Sequence, residues 1–303
     1  MVSLFLGLLI YGAVAGGWSF AEDITSWFGA AWWWIIAMTY VVGGVSLWDD
    51  REGLSIRLRL GIQLAVSVVL VMGAGLVFPS VEFPLLGAVS WGWLAVPLAV
   101  VFIVWMTNLY NFMDGMDGFA GGMTVFGFGC LAYFAWQANH QFILVTALIL
   151  SVASLGFLLH NFPPAKIFMG DVGSVSIGFM SASLILLGCR DGVFTFWVPV
   201  ILFSPFIVDA TSTLVRRALR REKIWEAHRA HYYQRAVLSG WSHRQTVSAE
   251  YAVMALCGGL AILYHGAPEV WRLIILGVWA TLFLTLACLV NRLVSGARVE
   301  VVR

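Results

Sequence analysis

The stretch that decides the fold is an apolar segment that runs directly into a polar loop. It reads WGWLAVPLAVVFIVWMT at residues 91–107, followed by NLYNFMDGMDGFAGG at residues 108–122. The first part carries no charged side chain, and a helix that spans a bilayer needs about 20 mostly apolar residues, with a range of about 17 to 25. The second part gathers amides, carboxylates and glycines. The stretch therefore predicts a membrane span that ends in an acidic loop at one membrane face.

The composition of the whole chain supports a membrane protein. Of its 303 residues, 61% are hydrophobic and only 11% are charged, whereas a soluble domain carries about 25% charged residues. Fifteen Trp and 21 Phe suit lipid interfaces. A water-soluble enzyme, a secreted disulfide scaffold and a disordered chain are excluded. The four cysteines all lie in apolar stretches and are interpreted as small buried hydrophobes.

Ten segments approach the length of a membrane span. They are residues 4–20, 27–47, 60–78, 91–107, 119–137, 141–160, 175–189, 194–212, 248–265 and 270–293. The segment 175–189 is the weakest of them. The first is not treated as a cleaved signal peptide, because it lacks a basic leader. The predicted fold is an all-α polytopic membrane bundle of about ten transmembrane helices, with residues 1–303 forming a single domain.

Lys and Arg predict the orientation of the bundle. Alternate linkers and the chain end from Arg292 hold 15 of these 17 residues, and the opposite side holds only Arg190 and Arg272. By the positive-inside rule, both termini and the basic linkers are predicted to be cytoplasmic. The middles of the spans are almost free of charge and no internal repeat is evident, which disfavours a transporter. The pattern favours an enzyme at the membrane surface, and nothing in it predicts a nucleic-acid partner.

The first loop, SLWDDREGLSIRLRL (residues 46–60), places Asp49 and Asp50 at the exit of a span. Two adjacent acids are costly there unless a divalent cation or a base compensates them. A solvated loop start in which the acids pair with Arg51 is an equally weighted alternative.

The second loop, TNLYNFMDGMDGFAGG (residues 107–122), repeats a polar residue every third position. These residues are Asn108, Asn111, Asp114 and Asp117. On one helical turn or in a tight loop, this spacing puts them on neighbouring faces. The glycines allow a phosphate or nucleoside close to the backbone. Carboxylate and amide oxygens suit Mg²⁺, and no Lys or Arg lies in this loop to neutralise its acids.

The third loop, HNFPPAKIFMGDVGS (residues 160–174), contributes one base, one aromatic ring and one acid. Asp171 lies between glycines and is a candidate metal ligand. Phe168 could stack on a nucleobase, although a lone Phe more often serves packing. Lys166 is the single basic residue of this loop.

The fourth linker, residues 216–246, is long and basic. His228, His231 and Arg235 are spaced to share one face of a helix, which suits a diphosphate or a lipid phosphate. Positive-inside charge resting on anionic headgroups is the simpler interpretation, and a zinc site lacks a third ligand. The remaining histidines, His243 among them, are isolated and receive no role.

Together these loops resemble the polyprenyl-phosphate N-acetylhexosamine-1-phosphate transferases of glycosyltransferase family 4. The shared motifs are the Asp-Asp pair after a span, the NxxNxxDGxDGxAGG loop and the NFPPAKIFMGDVGS loop, in the family's order over residues 40–245. The glycan-initiating members resemble this chain more than the peptidoglycan phospho-N-acetylmuramoyl-pentapeptide transferase does.

The resemblance implies a reaction, its partners and a set of site residues. The substrates would be a UDP-N-acetylhexosamine and undecaprenyl phosphate, with Mg²⁺ or Mn²⁺ required and UMP released at the cytoplasmic face of a bacterial inner membrane. Homodimer formation is left open. In the family pattern, Asp49 and Asp50 act as a base or position the lipid phosphate, and Asp114 and Asp117 match positions that line the nucleotide pocket. The family pattern and the chemistry of the loops together give the following assignment: Asp49, Asp50, Asp114 and Asp117 to catalysis, Asn111 and Asp171 to the metal, and Asn108, Asn161, Lys166, Phe168, His228, His231 and Arg235 to substrate binding.

Two features depart from the family pattern. The family places a span and a DxPNxRxxH-like cytoplasmic stretch before segment 4–20, and that stretch is expected to be missing here. The basic linker reads HRAHYYQ where relatives carry three His or HxHH, which resembles O-antigen enzymes that use deoxygenated N-acetyl sugars. The alternatives are a catalytically degenerate lipid-binding or transport protein of the same fold, and a CDP-alcohol phosphatidyltransferase, whose Ala-Arg after the DG is not found in GMDGFAGGMTVF.

Overall fold

The computed structural model describes residues 29–78, 80–223 and 228–301, the last six by backbone alone. Within them the helices are α1 (Ala31–Glu52), α2 (Ile56–Ala74), α3 (Ala95–Met113), α4 (Phe119–Gln137), α5 (Gln141–Asn161), α6 (Gly170–Arg190), α7 (Trp197–Leu202), α8 (Ser204–Leu219), α9 (Tyr232–Leu238), α10 (His243–Gly266) and α11 (Glu269–Val301). An antiparallel hairpin of β1 (Ser80–Phe83) and β2 (Gly87–Ser90) precedes α3, with Ser80 opposite Ser90.

Eight helices of the described part are long and apolar enough to cross a membrane. They are α1 to α6, α10 and α11. Because an apolar helix satisfies its own backbone hydrogen bonds, it is the form such segments take in lipid. The predicted all-α polytopic class is confirmed. The first predicted span, residues 4–20, lies outside the described residues.

The predicted span 194–212 is not one helix but two, α7 and α8, separated at Phe203. Pro205 has no N–H to donate to the carbonyl of Ile201, so the helical ladder is interrupted. The Ser204 hydroxyl donates to that carbonyl instead, at 2.6 Å. A proline in the first turn of the new helix is well tolerated.

The helix α6 lies at the centre of the bundle, packed against α1 and α3. Its predicted span, 175–189, looked weak, yet the helix extends to Gly170–Arg190 and is largely buried. Small residues explain the close approach, as in many membrane helix pairs. A Cβ at Gly43 would lie 2.9 Å from the Ser176 hydroxyl, and one at Gly178 would lie 2.7 Å from the carbonyl oxygen of Met106.

The hairpin is held at one end of the bundle by side chains of the later helices. The indole of Trp197 donates to the carbonyl of Glu82 at 2.8 Å, and Arg272 lies 3.6 Å from the Glu82 carboxylate. The Glu269 carboxylate accepts from the backbone N–H of Leu85 at 2.6 Å. The hairpin precedes α3, and the second acidic loop follows the other end of that helix, so the bundle has two chemically distinct ends.

Candidate functional site

The first loop begins where α1 ends, and its two acids have different environments. Gly53 adopts a left-handed conformation (φ 68°) and its N–H donates to the carbonyl of Asp49 at 2.8 Å, which closes the helix. The Asp49 carboxylate accepts from the N–H of Leu54 at 2.7 Å and from the Arg59 guanidinium at 2.8 Å. Asp50 is exposed. The Asp49 carboxylate is therefore fixed by two hydrogen bonds, whereas the Asp50 carboxylate is open to solvent.

Arg59, in the first turns of α2, connects the first loop to the third. Its Nη1 contacts Asp49 and lies 3.6 Å from the Asp171 carboxylate. The partner of Asp49 is thus Arg59 and not Arg51, the base in the alternative interpretation of this loop. The Asn111 amide donates to Asp171 at 2.8 Å, which brings two predicted metal ligands together. Sequence reasoning missed Arg59, although a base at the start of an otherwise apolar span was a usable signal.

The four regularly spaced polar residues of the second loop do not form one cluster. Asn108 faces α2, and its amide donates to the Gln63 side chain at 2.6 Å. Asn111 faces Asp171. Asp114 caps the end of α3, and Asp117 lies beyond the helix. Asn108 and Asn111 lie one turn apart on α3, although they face different partners. The expectation of neighbouring faces fails for Asp117, because α3 ends at Met113 and the backbone turns before that acid.

The Asp114 carboxyl lies in a strongly perturbed electrostatic environment. Burial, followed by the negative charge of Asp171, raises the pKa of Asp114 to about 7. The ionised carboxyl loses solvation there and is repelled by its neighbour. Asp50 also lies within electrostatic reach of Asp171 and Asp49. Acids from three separate segments therefore share one negative region.

Asn161 joins the second loop to the third. Its buried side chain accepts from the N–H of Gly118 at 2.9 Å and donates to the carbonyl of Ile167 at 2.8 Å. Gly118 has φ 75°, a left-handed conformation that glycine adopts readily. Asn161 therefore shapes both loops through the backbone.

Asp117 is turned toward the third loop and the start of α10. Its carboxylate accepts from the N–H of Ala165 at 3.0 Å and lies 3.5 Å from Nδ1 of His243. His243 was given no role from the sequence, so this contact is a correction. Nothing in the local sequence indicated it, because the two residues are joined only by the packing of α10 against α4.

Phe168 and Lys166 are exposed on the third loop. The Phe168 side chain is 76% exposed, so its ring is open to a ligand. The N–H of Lys166 donates to the carbonyl of His160 at 2.7 Å, so its backbone is fixed while its side chain is free to reach a ligand.

The fourth linker differs from its prediction. His228, His231 and Arg235 do not share a helical face, because α9 begins only at Tyr232. The two imidazole rings nevertheless meet, with centroids 4.9 Å apart. Burial, followed by the charges of His231 and Arg217, lowers the pKa of His228 to about 4. His228 is therefore neutral at pH 7.

The polar residues fit the divalent metal that the resemblance implies. Asn111 and Asp171 supply oxygen donors of the kind Mg²⁺ prefers, and the mutual repulsion around Asp114 would be relieved by a cation. Among the described residues, no three His, Cys, Asp or Glu side chains form a ready-made metal cage. A Mg²⁺ site needs only one or two carboxylates, because substrate phosphates and water complete its coordination shell.

The fold and the site define a polytopic membrane protein with an acidic, metal-compatible site at one end of a helical bundle. The chain belongs to glycosyl transferase family 4, whose family model matches residues 32–189. The predicted family is confirmed, and with it the transferase class.

Three relatives illustrate the similarity. A probable undecaprenyl-phosphate N-acetylglucosaminyl 1-phosphate transferase of Bacillus subtilis is 34% identical, over 81% of this chain and 66% of its own. A phospho-N-acetylmuramoyl-pentapeptide-transferase of Halalkalibacterium halodurans is 30% identical, over 72% and 66%. One from a Synechococcus species is 31% identical, over 84% and 74%. The chain thus spans about two thirds of the length of the first two.

Proposed function

We propose that this protein transfers an N-acetylhexosamine 1-phosphate from a UDP-sugar to undecaprenyl phosphate and releases UMP. The observation that carries the proposal is the line of contacts from Asp49 through Arg59 to Asp171 and Asn111. It unites acids and amides from three loops at one end of the bundle. The names of the relatives support the same reaction.

The reaction is a phosphoryl transfer in which a lipid phosphate oxygen attacks the phosphorus that bears the sugar. The bond from that phosphorus to the UMP oxygen breaks as the new one forms. A phosphate monoester has a second pKa near about 6, so the attacking group is largely dianionic at pH 7 and needs little help from a base. We therefore propose a single-step transfer without a phospho-aspartate intermediate. Asp49 and Asp50 act by positioning the lipid phosphate, Asp49 through the Arg59 guanidinium that it contacts and Asp50 from its place in solvent.

Asp171 and Asn111 would hold Mg²⁺ or Mn²⁺, whose chemistry when bound is to neutralise the diphosphate and the departing UMP. Asp114 adjoins this pair and adds negative charge to the metal region. Arg59 restrains Asp49 and Asp171 through its guanidinium, so that two carboxylates remain oriented before substrate arrives.

The nucleotide is proposed to lie on the second and third loops. Asn161 and Asp117 fix the backbone of these loops, Phe168 offers its exposed ring to the uracil, and Lys166 can reach a phosphate. Asn108, tied to Gln63, supports the helix that carries Asn111 and has no free donor toward the nucleotide.

The basic linker is proposed to bind the phosphates of the lipid or the diphosphate. Arg235 is the permanent cation of the three predicted residues. His228, neutral at pH 7, can act only as a hydrogen-bond partner, and the buried His231 supports it. We propose that the site faces the cytoplasm at a bacterial inner membrane and that the chain forms a single domain. The proposed product initiates O-antigen or another cell-surface glycan. The identity of the sugar and the formation of a homodimer are questions for experiment.

The test is release of UMP by detergent-purified protein supplied with undecaprenyl phosphate, Mg²⁺ and a panel of UDP-N-acetylhexosamines that includes deoxygenated sugars. Turnover is expected only when lipid phosphate and metal are both present. Asp171→Asn should lower it by at least about 100-fold at every Mg²⁺ concentration, because the substitution removes the negative charge that would hold the cation and leaves only a neutral amide oxygen. Asp191→Asn, which removes a carboxylate at the other end of the bundle, is the matched control.

If the wild-type protein releases no UMP with any UDP-sugar of the panel, the result would favour the alternative of a lipid-binding or transport protein. Substantial turnover by Asp171→Asn would instead retain the reaction and remove Asp171 from the metal site.

A further inference from the structure

A buried carboxylate outside the acidic loops accepts four hydrogen bonds. Asp209, in α8, is only 6% exposed. Its Oδ1 accepts from the Thr213 hydroxyl at 3.1 Å, from Nδ1 of His231 at 3.2 Å and from the N–H of Tyr232 at 2.9 Å, and its Oδ2 accepts from the N–H of Tyr233 at 3.2 Å. In the sequence, Asp209 is an acid near the end of the predicted span 194–212, and it belongs to none of the loop motifs.

Two of these donors are the first two backbone amides of α9. A helix leaves its first four N–H groups without internal partners, and a seven-residue helix is too short to be stable alone. A carboxylate placed at the N-terminus satisfies the amides and interacts favourably with the helix dipole. Asp209 therefore caps α9 from a neighbouring helix, in addition to the local contact in which the Gln234 side chain accepts from the N–H of His231 at 3.3 Å.

The same carboxylate orients His231. Its acceptor role means that Nδ1 carries the proton, so Nε2 is the ring atom left for other partners. The His231 ring is 2% exposed and packs against Tyr233 on one side, at 5.8 Å and 17°, and His228 on the other. The more accessible His228 imidazole therefore packs against the His231 imidazole, which Asp209 orients.

A second path leads from Asp209 to the second loop. Asp209 accepts from the N–H of Tyr233, and the Tyr233 hydroxyl donates to the carbonyl of Phe112 at 3.4 Å. A Cβ at Gly115 would overlap that hydroxyl, so the phenol lies directly against the loop that contains Asp114. The cap of α9 is thereby coupled to the acidic site.

We infer that Asp209 is a positioning residue for the transfer, which anchors the segment with His228, His231 and Arg235 against the second loop. The inference rests on the proposed function. Within the part of the chain that the structure describes, the hydrogen bonds of the Asp209 carboxylate go to α8 and to the start of α9, and none goes to the third loop with Phe168 and Lys166. We take the lipid phosphate as the ligand of that segment. Loss of Asp209 is then expected to slow the transfer step, while KM for the UDP-sugar changes little because the third loop keeps its own contacts.

The experiment compares Asp209→Ala and Asp209→Asn with the wild-type protein, each purified as the full chain in detergent. The matched control is Asp191→Asn, because Asp191 also pairs with an imidazole, that of His140 at 3.0 Å, but at the opposite end of the bundle. Two readouts are taken: hydrogen–deuterium exchange of the α9 amides, and kcat and KM for UMP release.

For Asp209→Ala we expect exchange of the α9 amides to be about tenfold faster, as befits a lost cap. We expect kcat to fall by about 10- to 100-fold, the usual effect of removing a group that orients a functional side chain. KM for the UDP-sugar should stay within about twofold. Asp209→Asn, which keeps one acceptor oxygen, should lie between Ala and wild type, and Asp191→Asn should match wild type in both readouts.

The inference is overturned if Asp209→Ala leaves α9 exchange or kcat unchanged, or if kcat and KM deteriorate together with exchange throughout the bundle. The exchange readout needs no turnover. If the wild-type protein proves inactive on every UDP-sugar, the proposed function fails, while faster α9 exchange confined to that helix would still establish the anchor.

Discussion

At the scale of single residues, the site is organised by how each carboxylate is compensated. Asp49 is held by an arginine and a backbone amide, Asp209 by four donors, and Asp117 by an amide and an imidazole. Asp114 has no such donor to its side chain among the described residues and lies beside Asp171 instead. A buried acid without a hydrogen-bond donor is typical of functional sites. Such an acid lowers the stability of the free protein, and the binding of a ligand relieves this cost.

This cost predicts that Asp114→Asn stabilises the metal-free protein. Asp114 has a pKa of about 7 in the folded state against 3.8 in model compounds, so the folded state binds the extra proton between these values. Its contribution to the free energy of unfolding therefore declines as pH rises from 3.8 to about 7 and is constant above. In EDTA, Asp114→Asn should melt at a higher temperature than wild type at pH 8, with a smaller difference at pH 5.

Thermal unfolding in detergent at the two pH values checks this prediction. Asp191→Asn, whose carboxyl is hydrogen-bonded to His140 and Arg190, should not gain stability at pH 8. An equal or lower melting temperature for Asp114→Asn at pH 8 would contradict the account of Asp114 as an uncompensated buried acid.

At the scale of the helices, close packing of α6 against α1 and α3 places Asp171 opposite Asn111. In a membrane, an apolar side chain contacts lipid about as favourably as it contacts another helix. Small residues, which allow two helix backbones to approach closely, therefore determine which helices pair. Gly178 occupies such a position, where a Cβ would press on the carbonyl of Met106 and the Cα of Thr107. Backbone atoms of a helix cannot move aside as a flexible side chain can.

We therefore expect Gly178→Ala to lower the free energy of unfolding by about 1–3 kcal/mol through overpacking. Gly156→Ala, on α5, is the matched control because nothing lies within 4 Å of its Cβ position, and it should be neutral or slightly stabilising. Thermal unfolding of both variants in detergent measures the difference. Equal stability of the two variants would show that the α3–α6 crossing is looser than described.

At the scale of the whole molecule, the polar groups are divided between the two ends of the bundle. One end carries the acidic loops and the basic linker, and the other carries the β-hairpin with its clamps from Glu269 and Arg272. Because alternate linkers reach the same end, the helices run up and down through the bundle. An asymmetric distribution of Lys and Arg then sets the orientation in the membrane.

The orientation is tested by a membrane-impermeant maleimide applied to spheroplasts. In a background without native cysteines, Leu86→Cys, at the exposed tip of the hairpin, should react in intact spheroplasts. Arg229→Cys, exposed in the basic linker, should react only after permeabilisation, because that linker is predicted to be cytoplasmic. Labelling of Arg229→Cys in intact spheroplasts would reverse the proposed orientation.

Most helices of the bundle could be predicted from the sequence, since a run of apolar residues of span length has one stable form in lipid. The helices α4 and α5 begin within a residue of their predictions. The break at Phe203 was missed because hydropathy averages over a window and does not register the lost N–H of Pro205. The helical face drawn through His228, His231 and Arg235 was wrong because spacing alone does not say where a helix begins.

Composition and motif spacing are sufficient to predict a helical membrane protein and its family, and they indicate the residue types of the proposed site, because these depend on local chemistry along the chain. The partners of those residues come only from tertiary packing. Arg59 for Asp49 and Asp171, His243 for Asp117, and Asp209 for His231 and α9 join residues that lie on different helices or loops. Their contacts follow from how the helices cross, and helix crossing is decided by the fit of side chains in three dimensions, which no pattern along the chain records.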